Sequence, residues 1–168
     1  MRGMPPEFRI DRLFTRLGEA GVDYVVVGGV AAQAHGSSQF TGDLDICYSG
    51  EEGNLERLGQ ALVVLGARLR GVADGVPFVP DGRTLRRTQI LTLDTPEGPL
   101  DLLVDPSGST GYAALSERAL HVEWAQTTVK IASLPDLIAM KRAAGRPKDL
   151  LAVEELEAIE RILREERP

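Results

Sequence analysis

Two glycines end a short apolar run, Tyr24-Val-Val-Val-Gly28-Gly29, and after thirteen intervening residues two aspartates follow in Asp43-Leu-Asp45-Ile46. Alternate residues of a strand share a face, so Asp43 and Asp45 point one way and Leu44 and Ile46 the other. Neighbouring carboxylates repel and raise each other's pKa unless a cation lies between them. Hard oxygen donors of this kind suit Mg²⁺. The glycines allow a turn whose backbone N–H groups approach a phosphate unobstructed. Together these residues read as a site for a metal-bound nucleotide.

Asp-x-Asp alone is a weak signal, and its order along the chain is what strengthens it. The segment Gly98-Pro-Leu-Asp101-Leu-Leu-Val-Asp105 offers a third acid. An aspartate inside an apolar strand is rarely buried without a partner. If that strand pairs beside residues 43–48, three carboxylates converge; the alternative leaves Asp43 as a turn residue and Asp101 as a hydrogen-bonded edge residue. Lys141 lies on the apolar face of a helix expected over 134–144, where it either snorkels to solvent or reaches a buried anion. Asp149, in the first turn of the last helix, stabilises that N-terminus whatever the function. Arg146 beside it is a candidate phosphate or acceptor contact, and the hydroxyls of Ser37 and Ser38 are weaker ones.

These residues need elements to hold them. Ile10, Leu13, Phe14 and Leu17 repeat at helical spacing over 7–20, and residues 24–27 form a strand apolar enough to be buried on both faces. A short helix is expected over 30–35, a polar loop over 36–42 and a strand over 43–48. Leu55, Leu58, Leu62 and Leu65 mark a helix over 54–65 that Gly66 ends. Residues 68–87 resist assignment because Gly71, Gly75, Pro77, Pro80 and Gly82 break any long element. Strands over 88–94 and 100–104 bracket Pro96-Glu-Gly98-Pro99 as a hairpin. A helix over 111–119 and strand-like alternation within 121–132 come next. Ser133-Leu-Pro-Asp136 is a helix start; Gly145-Arg-Pro147 separates the 134–144 helix from a last one beginning near 147.

With 168 residues, 18.2 kDa and 43% hydrophobic content, the chain supports one domain, a core over 1–132 with a helical extension over 133–168 packed on it. Nothing approaches the roughly 18–20 apolar residues of a membrane span, and no secretory signal pattern opens the chain. The single Cys47 cannot form an internal disulfide, so a cytoplasmic location is expected. A net charge of −6 argues against a protein that coats nucleic acid nonspecifically. Basic clusters at Arg83, Arg86 and Arg87 and at Lys141, Arg142, Arg146 and Lys148 still allow a local basic surface. Cys47 reads as core, His35 as a packing or capping residue, and Trp124 as packing against the 88–104 hairpin.

The order Gly28-Gly29, Asp43-Leu-Asp45-Ile46, Asp101 resembles the DNA polymerase β-type nucleotidyltransferase superfamily. Asp136-Leu-Ile-Ala-Met-Lys141 followed by Arg146-Pro-Lys-Asp149-Leu is similar to small bacterial members related to the AbiEii-type toxins. The resemblance spans about residues 10–163. It implies an α/β (α+β) fold, with a small mixed, mostly antiparallel sheet flanked by helices and C-terminal helices after the core. It implies Mg²⁺-dependent transfer of a nucleoside monophosphate from an NTP to an acceptor hydroxyl through two ions, with Mn²⁺ able to substitute. Asp43 and Asp45 would hold the ions, and Asp101 would complete one site and orient or help deprotonate the hydroxyl. Lys141 would join them as a catalytic residue, and Gly28, Gly29, Ser38, Lys141, Arg146 and Asp149 would contact the nucleotide. The toxin branch implies an RNA acceptor such as the tRNA 3′ end, with a cognate antitoxin as partner. The alternatives are a small-molecule acceptor, as in aminoglycoside or lincosamide nucleotidyltransferases, a protein hydroxyl, or a non-catalytic nucleotide-binding partner module. One departure stands out: relatives often carry Arg-aromatic-Thr before the aspartates, where this chain has Gln39-Phe40-Thr41.

Overall fold

The computed structural model describes residues 7–72, 78 and 80–168. Its centre is the strand β1 (Tyr24–Val27), buried at all four positions and therefore covered on both faces. β2 (Leu44–Tyr48) runs antiparallel to it on one side, and β7 (Thr127–Ile131) runs parallel on the other. The rest of the sheet comprises β3 (Arg68–Leu69), β4 (Ile90–Thr95), β5 (Gly98–Leu103) and β6 (Leu120–Trp124), in the order β3-β4-β5-β2-β1-β7-β6. Among the described residues only the β1–β7 and β2–β5 pairings are parallel, so the sheet is mixed and mostly antiparallel, as the resemblance implies.

The β2–β5 pairing matters most for the site. Its register sets Leu44 opposite Leu100, Asp45 opposite Asp101 and Ile46 opposite Leu102. The leucines and Ile46 are at most 1% exposed, so the intervening aspartates must face the other side of the sheet. Tyr48, in step with Leu44 and Ile46, donates its hydroxyl to the Leu85 carbonyl.

The helices are α1 (Ile10–Glu19), α2 (Gly28–Ala34), α3 (Glu52–Val64), α4 (Gly82–Arg87), α5 (Tyr112–Arg118), α6 (Leu134–Ala144) and α7 (Pro147–Glu165). Leu13, Phe14 and Leu17 of α1 and Leu55, Leu58 and Leu62 of α3 are buried, the stripes their spacing predicts. α6 begins as expected, with the Ser133 hydroxyl accepting from the Asp136 N–H, and ends at Gly145 in the left-handed region. Val153 and Leu156 of α7 join the same apolar core as β1 and β2.

Four local expectations are corrected. α2 starts at Gly28, not Val30. The β4–β5 turn tightens to Pro96-Glu97, with Thr95 paired to Gly98. Residues 121–132 contain a hairpin, β6–β7, turning through Ala125 and Gln126 at φ 52° and 62°; without Gly or Asn at those positions the turn carries no signal. Trp124 packs edge-on against Phe14 of α1, not on the β4–β5 hairpin, and donates Nε1–H to Asp11. In the unassigned stretch, β3 and α4 appear, the latter capped by Asp81 accepting from the Thr84 N–H. Gly75 and Pro77 lie outside the described residues.

Candidate functional site

Asp43 immediately precedes β2, Asp45 is its second residue and Asp101 lies midway along β5. One carboxylate oxygen from each falls within 4.8 Å of the others. The convergence follows from register: the β2–β5 pairing puts Asp45 beside Asp101, and the two-residue side-chain period puts Asp43 on the same face. Thr41 orients Asp43, its hydroxyl donating to the Asp43 carbonyl at 3.2 Å and lying 3.4 Å from Oδ1.

The glycine pair is placed against these acids. Gly28 has φ +68°, and a Cβ there would lie 2.1 Å from Asp45 Oδ2. A Cβ on Gly29 would lie 2.7 Å from the Thr41 hydroxyl. Whatever the glycines offer a phosphate, they also let Asp45 and Thr41 close onto the start of α2, a constraint the sequence reading did not contain.

Burial and the charges of Asp43 and Asp101 push Asp45 up to about 7, and a hydrogen bond with Asp101 reinforces the shift; Lys141 opposes it. Asp101 is likewise raised, chiefly by burial, against the opposing bond and charge of Arg70. A cluster that gathers carboxylates until one holds its proton near neutrality has the chemistry of a cation site. Its donors are all oxygens, which fits a hard divalent ion. The nearby soft and nitrogen donors are engaged elsewhere: Cys47 is buried with its thiol pushed up to about 12, and His35 Nε2 lies 2.8 Å from the Ala132 carbonyl.

Lys141 and Arg146 reach the site from the α6–α7 junction. Both converge on Asp149, which is 1% exposed: Arg146 donates through Nε at 2.6 Å and Nη2 at 3.3 Å, and Lys141 Nζ lies 3.5 Å away. Asp149 also accepts from the Arg146 backbone N–H, closing the N-terminus of α7. These bonds, the Arg146 guanidinium foremost, hold its carboxyl below the usual range. Asp149 therefore fixes the two cations instead of facing a ligand alone.

Two cavities meet here. One of about 460 Å³ lies between the 37–43 loop and α7 and contains Gly29, Asp43, Asp45, Asp101, Lys141 and Lys148 among its walls. The other, of about 360 Å³, is walled by Ile90, Leu103, Pro106, Leu137 and Met140, with Asp105 among them. Asp45, Lys141, Arg146 and Asp149 line both.

The expected site residues thus come together, with one exception in role. Ser38 donates its hydroxyl to Glu155 Oε2 at 2.8 Å, and Ser37 donates to Glu155 Oε1, so the Ser38 hydroxyl is committed to α7 in this conformation. Glu155, Thr41 and Arg70 bond directly to candidate site residues and were not among the residues expected from the sequence. Arg70 bonds Asp101 Oδ1 at 2.8 Å from the stretch where glycine and proline hide periodicity. Glu155 carried no signal in the sequence that sets it apart from Glu154 and Glu157, which also adjoin the buried Val153 and Leu156.

No protein-family model and no curated protein matches the chain. Solved structures do. The lincosamide antibiotic adenylyltransferase LnuA, in its lincomycin-bound structure, is 14% identical with a TM-score of 0.61, covering 94% of this chain and 99% of its own. ANT(2″)-Ia in complex with adenylyl-2″-tobramycin is 16% identical with a TM-score of 0.52, over 93% and 95%. An antigenic nucleotidyltransferase-like protein from Paracoccidioides brasiliensis is 17% identical with a TM-score of 0.52, over 89% and 72%. The chain has the fold of these nucleotidyltransferases.

Proposed function

We propose that the chain is a nucleotidyltransferase that moves a nucleoside monophosphate from an NTP to an acceptor hydroxyl. The observation that carries this is the convergence of Asp43, Asp45 and Asp101 in a cavity that also contains Lys141 and the start of α2. Asp43 and Asp45 would hold Mg²⁺, with Mn²⁺ able to substitute, and Asp101 would share a second ion. A bound ion pair supplies charge stabilisation for both the attacking and the leaving oxygen of an in-line displacement. Gly28 and Gly29 leave backbone N–H groups open toward the β- and γ-phosphates. Lys141, held by Asp149, contributes positive charge against the triphosphate, and Arg146 lies where it contacts phosphate or acceptor. Asp101 orients the acceptor hydroxyl and accepts its proton as the oxygen attacks the α-phosphate, the bond from the α-phosphorus to the bridging oxygen breaks, and pyrophosphate leaves.

A small hydroxyl-bearing acceptor is the reading the second cavity favours. Its apolar walls and Asp105 suit a compact organic body better than a phosphate backbone, which calls for a basic groove. The antibiotic-modifying neighbours support the same choice. An RNA acceptor such as the tRNA 3′ end, within a toxin–antitoxin pair with a cognate antitoxin, is the competing reading that the Lys141–Asp149 resemblance supports. No helix of the described residues is long and apolar enough to cross a membrane, and a cytoplasmic enzyme is the consistent proposal.

The test is incubation with α-labelled NTPs, Mg²⁺ or Mn²⁺, and either total tRNA or a panel including lincomycin and tobramycin, with Asp43→Ala as control. Label on a small acceptor, absent in Asp43→Ala, supports the proposal as stated. Label on tRNA transfers the reading to the toxin branch. Pyrophosphate release at wild-type rate in Asp43→Ala overturns the metal assignment.

A further inference from the structure

Arg70 is the one cation bonded directly to a member of the carboxylate triad among the described residues, and it lines neither cavity. It follows β3 at the edge of the sheet and extends across β4 toward β5. Its Nε donates to Asp94 Oδ1 at 3.0 Å, and its Nη2 donates to the Leu93 carbonyl and to Asp101 Oδ1, both at 2.8 Å. Three acceptors bonded to one guanidinium fix its position, and a planar fork is the group suited to that task. Asp101 is only 18% exposed at its side chain, so its orientation is set by what it touches. One of its oxygens is committed to Arg70, and the carboxylate also hydrogen-bonds Asp45.

We infer that Arg70 is the positioning residue for Asp101, dividing the triad into a nucleotide side of Asp43, Asp45 and Lys141 and an acceptor side of Asp101, Arg70 and Asp94. This rests on the nucleotidyl-transfer reading. By holding Oδ1 of Asp101, Arg70 fixes how that carboxylate sits against Asp43 and Asp45, and so fixes where an attacking hydroxyl can be held. Among the described residues, its side-chain hydrogen bonds all go to β4 and β5 and none to the loop or helices that wall the nucleotide cavity. Losing it therefore disturbs the transfer step and leaves nucleotide binding in place, a division that general destabilisation does not produce.

The experiment compares wild type with Arg70→Ala, Arg70→Lys and Asp94→Asn. It measures kcat for transfer to the acceptor found active, and Kd for a non-hydrolysable ATP analogue with Mg²⁺ by calorimetry. For Arg70→Ala, kcat falls by about tenfold or more, on the scale of a misplaced catalytic group, while Kd stays within about twofold. Arg70→Lys, which can reach Asp101 but lacks the fork, recovers part of the loss. Asp94→Asn, which weakens one anchor, gives a smaller fall in the same direction. A kcat for Arg70→Ala within about threefold of wild type overturns the inference, as does a Kd that worsens in step with kcat. If Arg70→Ala does not fold, Arg70→Lys and Asp94→Asn decide: both indistinguishable from wild type overturns it. A wild type that binds the analogue and transfers to no acceptor defeats the nucleotidyl-transfer reading itself, and with it this assignment.

Discussion

Replacing Gly28 with alanine tests the connection between the glycine pair and the aspartates. The new Cβ would stand 2.1 Å from Asp45 Oδ2, whereas ordinary contact begins at 3.4 Å, so the carboxylate must retreat by more than about 1 Å. A displacement of that size at a reacting centre costs on the order of 100-fold in rate. The backbone adds its own cost, because φ +68° is a left-handed conformation worth roughly 1–2 kcal/mol for an L residue. In a chain of this length that lowers Tm by about 2–8 °C, a loss a folded protein survives. The assays are thermal denaturation with and without Mg²⁺, and nucleotidyl transfer under saturating NTP. Expected are a modest fall in Tm, a weaker Mg²⁺-dependent rise in Tm than wild type shows, and transfer reduced by about two orders of magnitude. A Gly28→Ala protein with wild-type transfer and an unchanged response to Mg²⁺ would refute the coupling of this glycine to Asp45.

Three further outcomes follow from the same geometry. Asp149→Ala removes a buried carboxylate that two cations and a backbone N–H share; about 2 kcal/mol of stability should be lost by urea titration, with a raised KM for NTP as Lys141 loses its anchor. Glu155→Gln keeps an acceptor for Ser37 and Ser38 but takes one negative charge from the cavity wall, so KM for NTP should fall by about twofold, the effect of roughly 0.5 kcal/mol at high dielectric; a rise in KM would contradict it. The pH dependence of the metal-free chain combines two opposite signs. Asp149, with its folded pKa depressed, contributes stability above the unfolded carboxylate value that is lost as pH falls. Asp45, with its folded pKa raised to about 7, loses stability as pH climbs from about 4 through 7, because the unfolded state releases that proton first. Denaturation midpoints should therefore peak in mild acid without Mg²⁺, and added Mg²⁺ should raise the neutral-pH values most.

What the sequence disclosed depended on how local each determinant was. Asp43 and Asp45 are legible because two residues on one strand share a face wherever the strand goes. Asp101 was legible as an acid out of place among leucines, although its partner depended on the β2–β5 register. The α6–α7 junction announced itself through Ser133, Gly145 and Pro147, each with a local backbone reason to be there. Arg70 had no such signal: its meaning comes from lying across β4 and β5, a relation between residues 24 to 31 positions apart. The β6–β7 turn was hidden for the opposite reason, since Ala125 and Gln126 adopt a conformation that glycine or asparagine would have advertised. Ser38 looked free in the sequence because its acceptor, Glu155, stands 117 residues away.

The charges of the site come from two parts of the chain, and this explains why the C-terminal helices matter to the chemistry. Asp45 and Asp101 lie on adjacent strands of the sheet and Asp43 immediately precedes β2; burial first, then the charge of the neighbouring carboxylates, drives the pKa values of Asp45 and Asp101 upward. The cations that face the larger cavity, Lys141, Arg146 and Lys148, all come from α6, α7 and the turn between them. Asp149, buried and paired with both Lys141 and Arg146, sets those two cations in place. A triphosphate entering between these groups would meet positive charge from α6 and α7, and divalent ions held by the strands. Arg70 differs from those cations by coming from the sheet edge and pairing with Asp101 directly. Under the proposed function, the arrangement would separate charge that attracts the nucleotide from charge that sets the geometry of attack, so that substitutions at Lys141 and at Arg70 should alter the two independently.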